Sequence, residues 1–201
     1  MNKDLSKSRR HEVNNLSNYS SAPDVFIAAN FIETVVCADL IADARRSSAV
    51  PAKVTKAKGR VDLDMRRTSR LFVSAEKEQQ INHYLQELKP QLEVHFQMPL
   101  SGVESFQFLL YREGDFYKRH ADKNDRPETP DYIKARRVSI VIFLDDETVS
   151  YTGGTLAVWG PAGPIRVKGE TGKVVAFPSE LMHEVEPVQS GERYSIVSWY
   201  F

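Results

Sequence analysis

The 201-residue sequence predicts a mainly β protein with N-terminal helices and a jelly-roll core, that is, a double-stranded β-helix. Two observations carry this. After Gly102 the chain breaks into short runs dominated by Val, Ile, Phe, Tyr and Trp, with Gly or Pro at nearly every junction, and many short strands in about 100 residues call for a sandwich or barrel. Before Gly102, apolar residues recur instead at helical spacing. A chain of this length buries about two thirds of its unfolded surface and needs no disulfide to hold a core.

Residues 1–22, rich in Ser, Asn and charge, are expected to be a flexible tail, and 23–201 one domain, with helical support over 23–99 and the jelly-roll core over 100–201. In Thr34–Arg46 the residues Val36, Leu40, Ile41 and Ala44 form a helical stripe. In Ser74–Leu88, Ser74 is placed to cap a helix whose stripe is Ile81, Tyr84, Leu85 and Leu88, and Pro90 is expected to end or kink it. Between the helices, Ser47–Val73 contains Pro51 and Gly59 and reads as a long connection, of the kind that often serves as a lid. Strands are expected over 104–111, 136–144, 154–160, 164–168, 173–178 and 193–201.

Lys+Arg and Asp+Glu balance at 27 each, which gives no electrostatic footprint for nucleic acid or an acidic membrane. Charge is uneven locally. From Arg45 to Arg70 nine basic residues, Lys53, Lys56, Lys58 and Arg60 among them, face only Asp62 and Asp64; the segment reads as a substrate-facing lid or as a solvated loop. Cys37 is the only cysteine, which excludes an internal disulfide and suits a reducing compartment. The polar first ten residues and the lack of any long apolar run predict neither a signal peptide nor a membrane span, so a cytoplasmic location is expected.

His120 and Asp122 lie where a strand runs into a polar loop, and residues two apart in an extended chain project to one side. His183, after a Pro-containing turn, is a third candidate ligand. Two histidines and a carboxylate make the facial triad of non-haem Fe(II), although zinc accepts the same ligands. Arg193 and Ser195 share one face of an apolar strand, a planar fork of donors beside a hydroxyl. A buried arginine needs an anion, either a nearby Asp or Glu or a carboxylate ligand.

QFLLYREGDFYKRHAD, RRVSIVIFLDD, GGTLAVWG, GKVVAFPSELMHEVEPV and GERYSIVSWYF resemble, in order and spacing, the Fe(II)- and 2-oxoglutarate-dependent prolyl 4-hydroxylase family. The resemblance covers residues 100–201 well and RRTSRLF (66–72) more loosely. It implies His120, Asp122 and His183 as iron ligands and Arg193 as partner of the remote 2-oxoglutarate carboxylate. Tyr111 would donate in the same pocket, Ser139 and Leu156 would line it, and Trp199, packed beside the iron, would lie with Arg136 by the entering substrate. The implied cofactors are Fe(II), 2-oxoglutarate and dioxygen, with ascorbate as an accessory. The implied reaction is hydroxylation of a prolyl residue in a protein or peptide; a free amino acid or small metabolite is the alternative.

The chain departs from the pattern at Phe143, where the oxygen-sensing relatives carry a tyrosine; Ser195 offers a hydroxyl from the neighbouring strand. Arginine rather than lysine at 193 separates it from the collagen-type enzymes, and Asp122 separates it from related halogenases. Nucleic-acid demethylases of this chemistry carry a second arginine where this chain has Trp199, and non-catalytic sensors on the same barrel commonly lack a ligand. Neither reading is favoured, and no motif bears on oligomeric state.

Overall fold

The computed structural model describes residues 24–52 and 62–201; the expected tail and Lys53, Lys56, Lys58 and Arg60 of the expected lid lie outside them. Helix α1 spans Thr34–Ala44 and buries Cys37, Leu40, Asp43 and Ala44. Helix α2 spans Ala75–Phe96 and buries Ile81, Leu85, Leu88 and Leu92, the 4-3-4 spacing of one helical face. Ser74 is its N-cap residue, yet its hydroxyl makes no capping bond. Its backbone N–H instead donates to Asp43 Oδ2 at 2.6 Å, which ties the start of α2 to α1.

Pro90 does not end α2. The helix runs on to Phe96, because Pro90 and Gln86, whose carbonyl loses its partner, both sit on the exposed face, where water can satisfy that oxygen.

Among the described residues the strands form two antiparallel sheets. The major sheet is built from β1 (Phe26–Ala28), β11 (Val174–Pro178), β7 (Val138–Phe143), β13 (Val188–Tyr200), β5 (Gln107–Arg112), β4 (Ser69–Leu71) and β2 (Val50–Pro51) in that order, with β8 (Tyr151–Gly153) also on β13. The minor sheet runs β10 (Gly163–Val167), β9 (Leu156–Gly160), β12 (His183–Val185), β6 (Phe116–His120) and β3 (Arg66–Arg67). This is the expected jelly roll. The six expected strands appear as β5, β7, β9, β10, β11 and β13, the last reaching back to Val188. Gly191, at φ 81°, lets it do so: a side chain there would collide with the Ser150 carbonyl as β13 passes β8.

The connection 47–73 is not all loop. Its ends form β2, β3 and β4, pairs and triplets of residues that become strands only by docking on existing edges.

Alternation along the major sheet separates two environments. Phe108, Leu110, Ile140, Ile142, Val174, Ala176, Tyr194, Ile196 and Tyr200 share one core with the helices. The Tyr200 hydroxyl donates to the Leu85 carbonyl at 2.6 Å and fastens sheet to helix. The opposite parity, including Val141, Phe143, Val175 and Phe177, packs against Leu156 and Val158 of the minor sheet. The polar residues of interest share this second parity, so they lie between the sheets.

Candidate functional site

His120 closes β6 and His183 opens β12, and the two are direct cross-strand partners. Asp122, two residues beyond β6, turns back beneath them. Its Oδ1 lies 3.5 Å from His120 Nε2 and its Oδ2 3.3 Å from His183 Nε2. One ligand atom from each of the three falls within 4.8 Å of the other two.

Both imidazoles are held by their far nitrogens. His120 Nδ1 donates to the Lys118 carbonyl at 2.8 Å and His183 Nδ1 to the Leu181 carbonyl at 3.0 Å. Those bonds leave the Nε2 lone pairs facing the centre, the tautomer a metal requires. Aromatic rings fix the planes. Tyr117 stacks on His120 with centroids 3.5 Å apart, and Phe177 packs on His183 at 4.7 Å.

Burial, with His183 beside it, pushes His120 down to about 4. At Asp122 burial opposes ionisation, but the two histidines outweigh it and hold the carboxyl well below its ordinary range. His120 as a neutral imidazole and Asp122 as a carboxylate are therefore in ligand form near neutrality. At His183 burial works downward, but the Asp122 carboxylate outweighs it and raises the pKa, so a metal there would displace a proton. The donor types fit a divalent metal of the non-haem iron kind.

Asp122 is itself positioned. The Ser139 hydroxyl donates to its Oδ2 at 2.7 Å and shares a second bond with the Ser179 hydroxyl at 2.9 Å. The Asp122 and Lys123 N–H groups both donate to the Ser179 carbonyl, at 3.0 and 2.9 Å. Ser179, fully buried, was invisible to motif reasoning because a serine in a turn carries no signal of its own. Ser139, expected to line the co-substrate pocket, makes its bonds to the carboxylate ligand.

Arg193 lies on β13 opposite Tyr111 of β5, further along the same interior. Trp199 pairs with Ser139, and Ser195 pairs with Phe143, about 13 Å away along β7. The Arg193 side chain is fully buried. Nη1 donates to Ser195 Oγ at 3.0 Å, but Nε and Nη2 have no hydrogen-bond partner among the described residues. Its Cζ sits 5.0 Å from the Tyr111 ring and 4.9 Å from the Phe143 ring. Among the described residues no carboxylate reaches it at salt-bridge distance, although Asp145 is near enough to feel its charge. Leu156, fully buried, packs in the same cluster as Phe143.

Two expected substrate residues are otherwise engaged. Arg136 donates from Nε and Nη2 to the two Glu104 oxygens at 2.6 and 2.8 Å, and its Cζ stacks 3.8 Å from the Trp199 ring. Nη1 donates to the Asp122 carbonyl at 3.2 Å. Its fork is thus filled from within the protein, and both residues brace the loop that carries Asp122.

The family model described as the 2OG-Fe(II) oxygenase superfamily matches residues 106–201. Among curated proteins, a PKHD-type hydroxylase of Alteromonas mediterranea is 33% identical over 94 residues, covering 46% of this chain and 41% of the relative. One from Parvibaculum lavamentivorans is 38% identical over 91 residues, covering 44% and 38%. The matches thus span about two fifths of these relatives' length. Among solved structures, a Pseudomonas putida prolyl-4-hydroxylase superposes with TM-score 0.67 at 29% identity, covering 88% of this chain and 92% of that one. A Trichoplax adhaerens prolyl hydroxylase, in complex with a hypoxia inducible factor peptide fragment, has the same fold, with TM-score 0.71 at 17% identity over 89% and 84% of the two chains.

Proposed function

We propose, from the match of residues 106–201 to the 2OG-Fe(II) oxygenase superfamily model, that this protein is an iron- and 2-oxoglutarate-dependent dioxygenase that hydroxylates a prolyl residue in a protein or peptide, with 2-oxoglutarate and dioxygen going to succinate and carbon dioxide. One observation carries the reading: a His-Asp-His cluster and a fully buried, partly unpartnered arginine share the space between the two sheets.

His120, Asp122 and His183 would hold the iron, which supplies oxygen activation when bound. Arg193 and Ser195 would hold the far carboxylate of 2-oxoglutarate, since a planar fork matches a carboxylate in two parallel bonds. The rings of Tyr111 and Phe143, with Leu156, keep water from that contact, where it would weaken the attraction. Ser139 and Ser179 orient the Asp122 carboxylate, and Arg136 on Trp199 steadies its loop. Ascorbate fits as an accessory reductant. The prolyl substrate is supported by the 29% identical Pseudomonas putida prolyl-4-hydroxylase.

Residues 23–201 are proposed as one catalytic domain. No described helix is long and apolar enough to cross a membrane, and with the single buried cysteine this supports a cytoplasmic setting.

The test is succinate release under air with Fe(II) and 2-oxoglutarate, with and without proline-containing peptides and free amino acids. Turnover stimulated by peptides and abolished by Asp122→Ala is expected. Stimulation by free amino acids alone would move the substrate to a small metabolite. No succinate from protein that has bound iron would overturn the oxygenase reading.

A further inference from the structure

Among the described residues, Arg193 Nε and Nη2 are not the only buried polar atoms without a hydrogen-bond partner at this end of the site. The Tyr151 hydroxyl is a third, on a side chain that is 2% exposed.

Two glycines place Tyr151 relative to Arg193. A Cβ built on Gly154 would lie 2.9 Å from Arg193 Cδ and 3.5 Å from Tyr151 Cε2, so the two side chains pass the same glycine. A Cβ on Gly169 would overlap the Tyr151 hydroxyl and lie 3.0 Å from Phe143 Cδ1, so the hydroxyl sits at the edge of the ring that flanks the guanidinium. A buried hydroxyl with no partner is costly, and buried polar groups are nearly always paired. Three unpaired groups around one point indicate a single shared acceptor. It must be anionic, to answer the guanidinium, and it must offer several lone pairs. A carboxylate does both.

We propose that the Tyr151 hydroxyl is a further protein ligand, beside Arg193 and Ser195, of the remote carboxylate of an oxo-dicarboxylate co-substrate. Phe143 brings a bare ring to this pocket, and Tyr151 supplies from β8 a hydroxyl that β7 does not provide. Ser195 Oγ accepts from Arg193 Nη1, which leaves its own proton free for the same carboxylate.

This inference rests on reading Arg193 as the co-substrate anchor, and the test separates the two. The full-length chain is loaded with Fe(II) without oxygen and titrated calorimetrically with 2-oxoglutarate and with 2-oxobutanoate, which lacks the remote carboxylate. Wild type, Tyr151→Phe and Arg193→Ala are compared. Tyr151→Phe is expected to weaken 2-oxoglutarate binding about 10- to 100-fold, the worth of one bond to a charged acceptor. It should leave 2-oxobutanoate and iron affinity unchanged. Its ligand-free Tm should stay close to wild type, since among the described residues the deleted hydroxyl makes no full hydrogen bond and has only the nearby Arg193 guanidinium as a polar neighbour. Equal 2-oxoglutarate affinity in wild type and Tyr151→Phe, with Arg193→Ala impaired, would overturn the Tyr151 role alone. Equal weakening toward both oxo acids would mark Tyr151 as merely structural and also overturn it. Unchanged affinity in Arg193→Ala would remove the anchor and this proposal with it.

Discussion

Replacing Asp145 with asparagine should flatten part of the protein's stability profile between acid and neutral pH. Asp145 follows β7, is 6% exposed, and accepts the Tyr194 N–H with both carboxylate oxygens at 3.2 Å. Burial raises its pKa from 3.8 to about 7; the Tyr194 N–H and the charges of Arg193 and Arg45 pull it down, while Asp146 pushes it further up. Between those values the folded chain holds a proton that the unfolded chain has released. Stability therefore falls as pH rises from about 4 to about 7 and is level above. At about 1.4 kcal/mol per tenfold change in proton affinity, the loss is at most about 4 kcal/mol. Asparagine keeps an oxygen for the Tyr194 N–H and has no charge to bury. Urea unfolding at pH 4.5, 6 and 7.5 should show Asp145→Asn gaining on wild type across the series, and taking the difference cancels the carboxylates common to both chains. A constant difference would refute the reasoning. A neutral residue here should also leave Arg193 more attractive to 2-oxoglutarate above pH 7, read as a lower Kd.

Gly154→Ala should cost about 1–2 kcal/mol from its φ of 66° alone, and its Cβ would press on Arg193 Cδ, so thermal unfolding should move down and the Kd for 2-oxoglutarate up together. Glu104→Ala should destabilise by about 3–5 kcal/mol, because it strands the buried Arg136 guanidinium; a Tm shift of only a degree or two would contradict the pairing. Ser139→Ala should weaken Fe(II) or Mn(II) binding about 10- to 100-fold, through a less fixed Asp122, with little change in Tm.

What the sequence revealed and what it concealed follow a physical division. Arg193 stood out because a charge inside an apolar strand contradicts its surroundings, and the structure shows that contradiction as two unpaired nitrogens. His120, Asp122 and His183 were legible through the resemblance of the motifs that carry them, since spacing alone puts only His120 and Asp122 on one side of an extended chain. Tyr151 was hidden: a tyrosine beside a turn is ordinary, and its meaning depends on Gly154 and Gly169 making room for it from two other segments. Arg136 was expected by the entering substrate, and its pairing with Glu104 was hidden because the two lie far apart in the chain and only folding brings them together. Strands β2, β3 and β4 were hidden for a related reason, since two or three residues have no period of their own: β3 and β4 pair because β6 and β5 present open edges, and β2 then pairs with β4.

The division of the site between sheets has an energetic consequence. The His-Asp-His cluster belongs to the minor sheet and the loop after β6, whereas Arg193 belongs to β13, which pairs along its length with β5, β7 and β8. A co-substrate held at both ends would cross-link the two sheets through the core. It would also neutralise a cation that the fold keeps buried with two of its three nitrogens without a partner among the described residues. Affinity and stability should therefore oppose each other at this position. An uncharged, Arg-sized side chain such as methionine at 193 should make the empty protein more stable while erasing the Tm rise that 2-oxoglutarate confers on the wild type by mass action. The idle donors are then best understood as stability given up in advance, recovered only when the dicarboxylate arrives.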